Sequence, residues 1–163
     1  MSNTEKTLDA MMRFVTAETD EDRKQAQADL RELARSNPAP KATVAKYMET
    51  IIAAILVDIG DPCHIMGHNY LISAIEAAVH NPDIINAITG ELYPKVAEAH
   101  DTTPSRVERA IRHAIEVAWD RGDIENLQSY FGNTISNVKG KPTNAEFIAR
   151  VAQVIRMRMD GEA

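Results

Sequence analysis

The stretch from Thr103 to Gly122 constrains this chain more than any other. Thr103 offers a helix cap, Pro104 suits the first helical position, and Gly122 is a stop. A second capping box, Ser105-x-x-Glu108, competes for the same start. On a helical wheel Val107, Ala110, Ile111, Ala114, Ile115, Val117 and Ala118 share one arc. Ser105, Arg106, Arg109, Arg112, His113 and Glu116 share the opposite one. A helix divided so cleanly must lay its apolar arc on a core and leave its arginines in solvent. Arginine can donate two parallel hydrogen bonds to guanine O6 and N7, worth about 1–3 kcal/mol of discrimination. Glu108 or Glu116 can accept from cytosine N4 or orient an arginine. The same face also fits a solvated surface of Arg–Glu pairs, such as Arg112–Glu116 at i, i+4 spacing. The pattern alone leaves both readings open.

Upstream, Leu92–Ala99 reads as a short amphipathic helix, and His100-Asp101-Thr102-Thr103 has the length of a tight turn. Short helix, turn and longer helix with a polar outer face make a helix-turn-helix pattern. Further helices are expected from about Thr43 to Ile59, ending at Gly60, and from about His64 to His80. Another starts at Asn81-Pro82 and stops at Gly90; a short segment covers Asp123–Phe131, before a looser stretch over Gly132–Lys141. A last helix opens at the capping box Thr143-x-x-Glu146, ahead of Phe147, Ile148, Val151 and Ile155. No useful strand pattern and no internal repeat appears, so the fold class is all-α.

Ser36-Asn37-Pro38-Ala39-Pro40 breaks the chain into two parts. Ahead of it, Leu8, Met11, Met12 and Val15 form one amphipathic stripe; Ala26, Leu30 and Leu33 form another behind a Thr19 cap. The expected organisation is a helical pair over 1–37, a linker over 38–44 and a helix-turn-helix domain over 45–163. The pair would serve dimerisation or partner control, or act as a packing cap. Each helix is short and marginal in isolation.

Composition bounds the function. Of 163 residues 44% are hydrophobic and only 5% aromatic, which favours helix packing over sheets. Glu49 and Asp58 interrupt the longest apolar run, Tyr47–Gly60, and exclude a membrane span. The absence of a leader and the lone Cys63 point to the cytoplasm. Net charge is −6, which argues against a nucleic-acid partner until its distribution is read. Residues 1–94 carry 8 basic against 14 acidic side chains, whereas 95–163 carry 10 of each. What matters at a contact surface is the local field, and there the arginines cluster.

The run Thr102-Thr103-Pro104-Ser105-Arg106-Val107-Glu108-Arg109-Ala110-Ile111-Arg112-His113-Ala114-Ile115-Glu116-Val117-Ala118-Trp119 closely resembles the effector domain of the stage-zero sporulation protein A family. Matching stretches, in the family's order, include Asp58-Ile59-Gly60 with Pro62, His64-Ile65 and Gly67, Tyr70-Leu71, and Leu92-Tyr93-Pro94. Lys141-Pro142-Thr143-Asn144-Ala145-Glu146-Phe147-Ile148-Ala149 completes them, and the likeness covers about residues 45–158. The resemblance implies a six-helix effector domain that binds promoter boxes in double-stranded DNA, often as tandem dimers, and regulates transcription. By position, Arg106, Glu108, Arg109, Arg112, His113 and Glu116 match the family's DNA-binding surface. Arg106, Arg109 and His113 would meet base edges or adjacent phosphates, and Arg112 a phosphate. A surface for RNA polymerase would fall near Gly122–Ile135, with Gly122, Glu125, Asn126 and Phe131, although Glu125 and Asn126 depart from the usual residues. Two other departures are Ile65-Met66-Gly67-His68, where the family reads Ile-Lys-Gly-Tyr, and Ile72-Ser73, where it reads Arg-Glu. The family's receiver domain, with its phosphorylatable aspartate, has no counterpart here.

Other candidate sites are weaker. Cys63, His64 and His68 lie close in sequence, but with no fourth ligand nearby they are expected to be structural, so no metal is assigned. Trp119 and Tyr93 are expected in the core. No phosphate loop, nucleophile elbow or catalytic carboxylate pair appears, so neither enzyme activity nor a cofactor is expected. The leading reading is a receiver-less transcription regulator acting as a homodimer on DNA. Its rival is a protein-interaction modulator that pairs with a full-length regulator without binding DNA itself.

Overall fold

The computed structural model describes residues 2–36, 41–132 and 140–160. The described residues are helical, with no strand among them, and no helix is long and apolar enough to cross a membrane. The chain divides into two compact units, Met1–Ile51 and Ile52–Ala163.

The first unit holds helices α1 (Asn3–Thr16) and α2 (Asp20–Ser36), joined by a three-residue turn and packed on one another. Ser2 caps α1 in a reciprocal box with Glu5, and Thr19 accepts from the Asp22 N–H at 3.1 Å. Arg13 ties the pair together, reaching Asp9 and Asp29 at 3.0 Å each. The stripe that α1 buries differs from the expected one. Thr7, Ala10, Met11 and Phe14 are inside, whereas Leu8 and Met12 are exposed; the Val15 side chain lies outside the described ones. Helix spacing permits both stripes, and α2 covers only the one beside it. The first half of α3 (Lys41–Ile59) completes this unit. Lys41–Val44 are helical, not linker, because no breaker follows Pro40; residues 38–40 lie outside the described ones.

In the second unit α3 closes at Gly60, whose φ of +104° only glycine adopts without strain. Asp61 N–H then donates to Leu56 O at 2.9 Å. Helix α4 (Met66–His80) starts two residues later than expected, after a turn in which Ile65 N–H reaches Pro62 O. The turn is held by a buried contact, Asp61 Oδ2 to His68 Nδ1 at 2.5 Å. Asp61 Oδ1 is buried with no partner among the described residues, and burial, opposed by His68, pushes this carboxyl above its ordinary value. Helix α4 is buried on nearly every side, from Gly67 to Val79, and packs on both α6 and α8.

The helix expected from Pro82 to Gly90 is instead a 3₁₀ helix, Pro82–Ala87, followed by a π turn, Ile88–Leu92. Gly90 lies inside that turn and stops nothing. Pro94 accounts for the irregularity: it has no N–H, and its ring collides with the carbonyl four residues back in a regular helix. Tyr93 N–H bonds to Ile88 O, five residues back, and resets the ladder just ahead of it. Helix α5 (Tyr93–Ala99) follows, then α6 (Pro104–Arg121), α7 (Ile124–Phe131) and α8 (Asn144–Asp160). Asp123 caps α7, and Tyr130 O–H donates to Asp58 Oδ2 at 2.8 Å, fastening α7 to the end of α3. The Thr143–Glu146 box opens α8 as expected. Phe147, Ile148, Val151, Ala152 and Ile155 are all buried beneath it.

Two glycine contacts set the packing of α6. A Cβ on Gly67 would stand 2.2 Å from Ala110 O and 2.8 Å from Ala114 Cβ. A Cβ on Gly122 would stand 2.3 Å from Ile59 O. Backbone cannot yield locally at such distances, so Gly67→Ala is expected to lower unfolding free energy in urea by about 2–4 kcal/mol. Gly90→Ala, with nothing within 4 Å, should change it by less than about 1 kcal/mol.

Candidate nucleic-acid interface

Helices α5 and α6 meet through a turn whose conformation follows from its residues. Asp101 takes φ +50°, a left-handed geometry that Asp tolerates better than most residues, and Thr102 N–H closes back onto Ala97 O at 2.9 Å. Thr103 then caps α6: its hydroxyl accepts the Arg106 N–H at 3.4 Å. The competing start at Ser105 is therefore not used, and α6 runs from Pro104 to Arg121 as its sequence predicts. Two side chains of α4 hold the turn. His100 Nε2 lies 2.7 Å from Ser73 Oγ, and its ring stands edge-on to Tyr70 with centroids 5.0 Å apart. Ser73 is one of the departures from the family pattern, and here it anchors the turn.

Helix α6 buries Val107, Ile111, Ala114, Ile115 and Ala118, while Ala110 and Val117 are half-buried at the margin. Its opposite face turns outward. Arg106, Arg109, Arg112, His113 and Glu116 are exposed and Glu108 is half-buried beside them. The six expected residues thus share one surface, but they are not equivalent. Glu108 forms an ion pair with Arg112. Arg112 does not pair with Glu116, the partner the i, i+4 pattern offered. No side-chain hydrogen bond or ion pair is described for Arg106, Arg109 or His113. Three basic side chains therefore stand in solvent along one stripe of a helix whose other side is locked into the core.

Sequence reasoning missed Asn144. The first residue of α8 sends its amide Nδ2 to the Tyr93 hydroxyl at 3.0 Å and to Glu108 O at 3.1 Å. The Thr143 capping box marked where α8 begins, but not what its first side chain would reach.

The residues expected to face a polymerase divide differently. Phe131 is buried, stacked between Trp119 and Phe147 with centroids 5.0 and 5.3 Å away. Gly122 is packed against the end of α3. Phe131 presents no surface, because the fold uses it for packing, whereas Gly122 is half-buried. Asn126 is half-buried and donates to Asp58 O and Oδ1 at 3.3 Å. Glu125 is exposed, and beside it Ile124 is 71% exposed, a feature the apolar pattern did not single out. Residues 133–135 of that stretch lie outside the described ones. Tyr93 is buried as expected, whereas Trp119 is half-buried. Among the described residues no three His, Cys, Asp or Glu side chains converge to hold a metal ion: His68 turns inward to Asp61 while Cys63 and His64 are exposed.

A buried six-helix unit carrying a helix-turn-helix with an arginine-rich outer face defines an effector-type DNA-binding domain. Residues 52–155 match the family described as Sporulation initiation factor Spo0A C terminal. The match spans well over half of the chain, and the chain belongs to that family. The second unit contains the matched residues in full.

The turn makes its own demand. Asp101→Gly should leave stability within about 1 kcal/mol of wild type, whereas Asp101→Val, β-branched at positive φ, should cost about 1–3 kcal/mol. Urea unfolding of the two variants side by side measures this; equal stability would contradict the left-handed geometry.

Proposed function

We propose that this protein is a sequence-specific DNA-binding transcription regulator whose reading helix is α6. The observation that carries the proposal is the unpaired stripe of Arg106, Arg109 and His113. A merely solvated helix face would match its arginines with carboxylates at i, i+4. Here Arg112 is so matched, and Arg106 and Arg109, with His113 beside them, are left for an external anionic partner with hydrogen-bond acceptors. Arg106 and Arg109 read base edges in the major groove, His113 meets a base edge or an adjacent phosphate, and Arg112, oriented by Glu108, meets a phosphate. Net acidity keeps nonspecific affinity low, so binding depends on these contacts.

The N-terminal pair serves dimerisation in this reading, with the exposed Leu8 and Met12, one helical turn apart, as the face available to a second copy. Promoter boxes in tandem would then be occupied by two copies. Where RNA polymerase is engaged, the exposed Ile124 and Glu125 at the start of α7 are the surface for it.

Fluorescence anisotropy with a labelled duplex bearing the family's promoter box, against a scrambled duplex at two salt concentrations, tests the reading. The expected result is a preference of at least tenfold, about 1.4 kcal/mol, that is lost when Arg106, Arg109 and His113 are all replaced by Ala. Equal, weak and salt-sensitive binding to both duplexes, unchanged in the triple variant, would overturn it and favour a protein-interaction modulator.

A further inference from the structure

We infer that Asn144 is a positioning residue for DNA reading: its amide ties α5 to α6 away from their turn and sets how the α6 face meets a duplex. The inference rests on the DNA-binding reading above. At the turn itself the two helices are held to α4 through His100, Ser73 and Tyr70. A turn fixes one point, and a second tie is needed to fix the angle between two helices. Asn144 supplies it with a single nitrogen. Its two amide protons have two acceptors, the hydroxyl of Tyr93 on the first residue of α5 and the carbonyl of Glu108 on α6.

Three features make this bond count. Asn144 does not drift, because the reciprocal Thr143–Glu146 box anchors the backbone around it. Tyr93 is buried, and Asn144 is the hydrogen-bond partner described for its hydroxyl. And on its outer side the tie borders open space instead of packed side chains: a cavity of about 480 Å³, lined among others by Tyr93, Glu108, Arg112, Glu116 and Thr143. With the bond gone, α6 keeps its seat on α4 at Ala110 and Ala114 but loses the tie at Glu108 O that sets its tilt about that seat. Arg106, Arg109 and the Glu108–Arg112 pair lie on either side of that tie, so a change of tilt moves all of them relative to base edges while leaving their charge intact.

Specificity therefore falls while electrostatic affinity does not. The test titrates the box and scrambled duplexes with wild type, Asn144→Ala, Asn144→Asp, Tyr93→Phe and the Asn144→Ala/Tyr93→Phe double variant, with urea unfolding of each alongside. Asn144→Ala is expected to reduce the box preference about tenfold, with affinity for the scrambled duplex unchanged within twofold. Tyr93→Phe should reduce it less, and the double variant should be no worse than Asn144→Ala, since both remove one shared bond. Asn144→Asp, the same size but offering an acceptor to the Glu108 carbonyl, should be at least as damaging as Ala. If Asn144→Ala keeps the wild-type ratio, whatever happens to its stability, the positioning role is wrong and the DNA reading stands. Equal losses on both duplexes also overturn it. If wild type itself prefers neither duplex, the DNA reading falls and this inference with it.

Discussion

The outer face of α6 can be presented because its inner face comes within backbone distance of α4, and that approach depends on the missing side chain at Gly67. With Ala110 O where a Cβ would stand, the two helices touch main chain to side, and the arc Val107–Ala118 seats against the most buried helix of the domain. Gly60 and Gly122 repeat the device at the far end, where the stop of α3 meets the stop of α6. Helices brought this close cannot slide without collision. The arginine stripe is thereby held on a rigid support, the condition for reading a pattern of acceptors instead of merely attracting phosphate.

The electrostatics follow the same division of labour. A chain with net charge −6 repels a polyanion at long range, and only short-range, oriented contacts can offset that. On α6 the fold pairs Arg112 with Glu108 and leaves the Arg106 and Arg109 side chains without a described partner. Polar groups taken inside are treated differently. The Asp61–His68 contact stands next to Gly67, where the family pattern has Tyr in place of His68, and it ties the start of α4 to the turn after α3. Ser73, at another departure, holds His100. His68 and Ser73, at the two departures, thus belong to the support of α6, whereas Met66, where the family has Lys, is exposed.

Much of this was legible in the residues. The bounds of α6, its two faces and the opening of α8 follow from caps, stops and a 3.6-residue period, which are local and survive any tertiary context. The π turn ahead of Pro94 was not legible as such, since the proline forbids a regular helix without saying which irregular one replaces it. Leu8 and Met12 were read as buried because apolar spacing marks a stripe without marking its cover. Likeness of position puts Phe131 on a polymerase-facing surface, whereas a large aromatic is an ordinary packing residue and here it is buried.

The sequence by itself determined the class: all-helical, with a helix-turn-helix and an arginine-bearing face, because periodicity and end signals act over one or two turns. Tertiary structure alone decided which cations stay unpaired, which apolar stripe is covered, and that Asn144 reaches across to Tyr93 and Glu108. The Asn144 bonds join residues separated by 36 and 51 positions, and only the packed chain brings such distant groups within hydrogen-bond range.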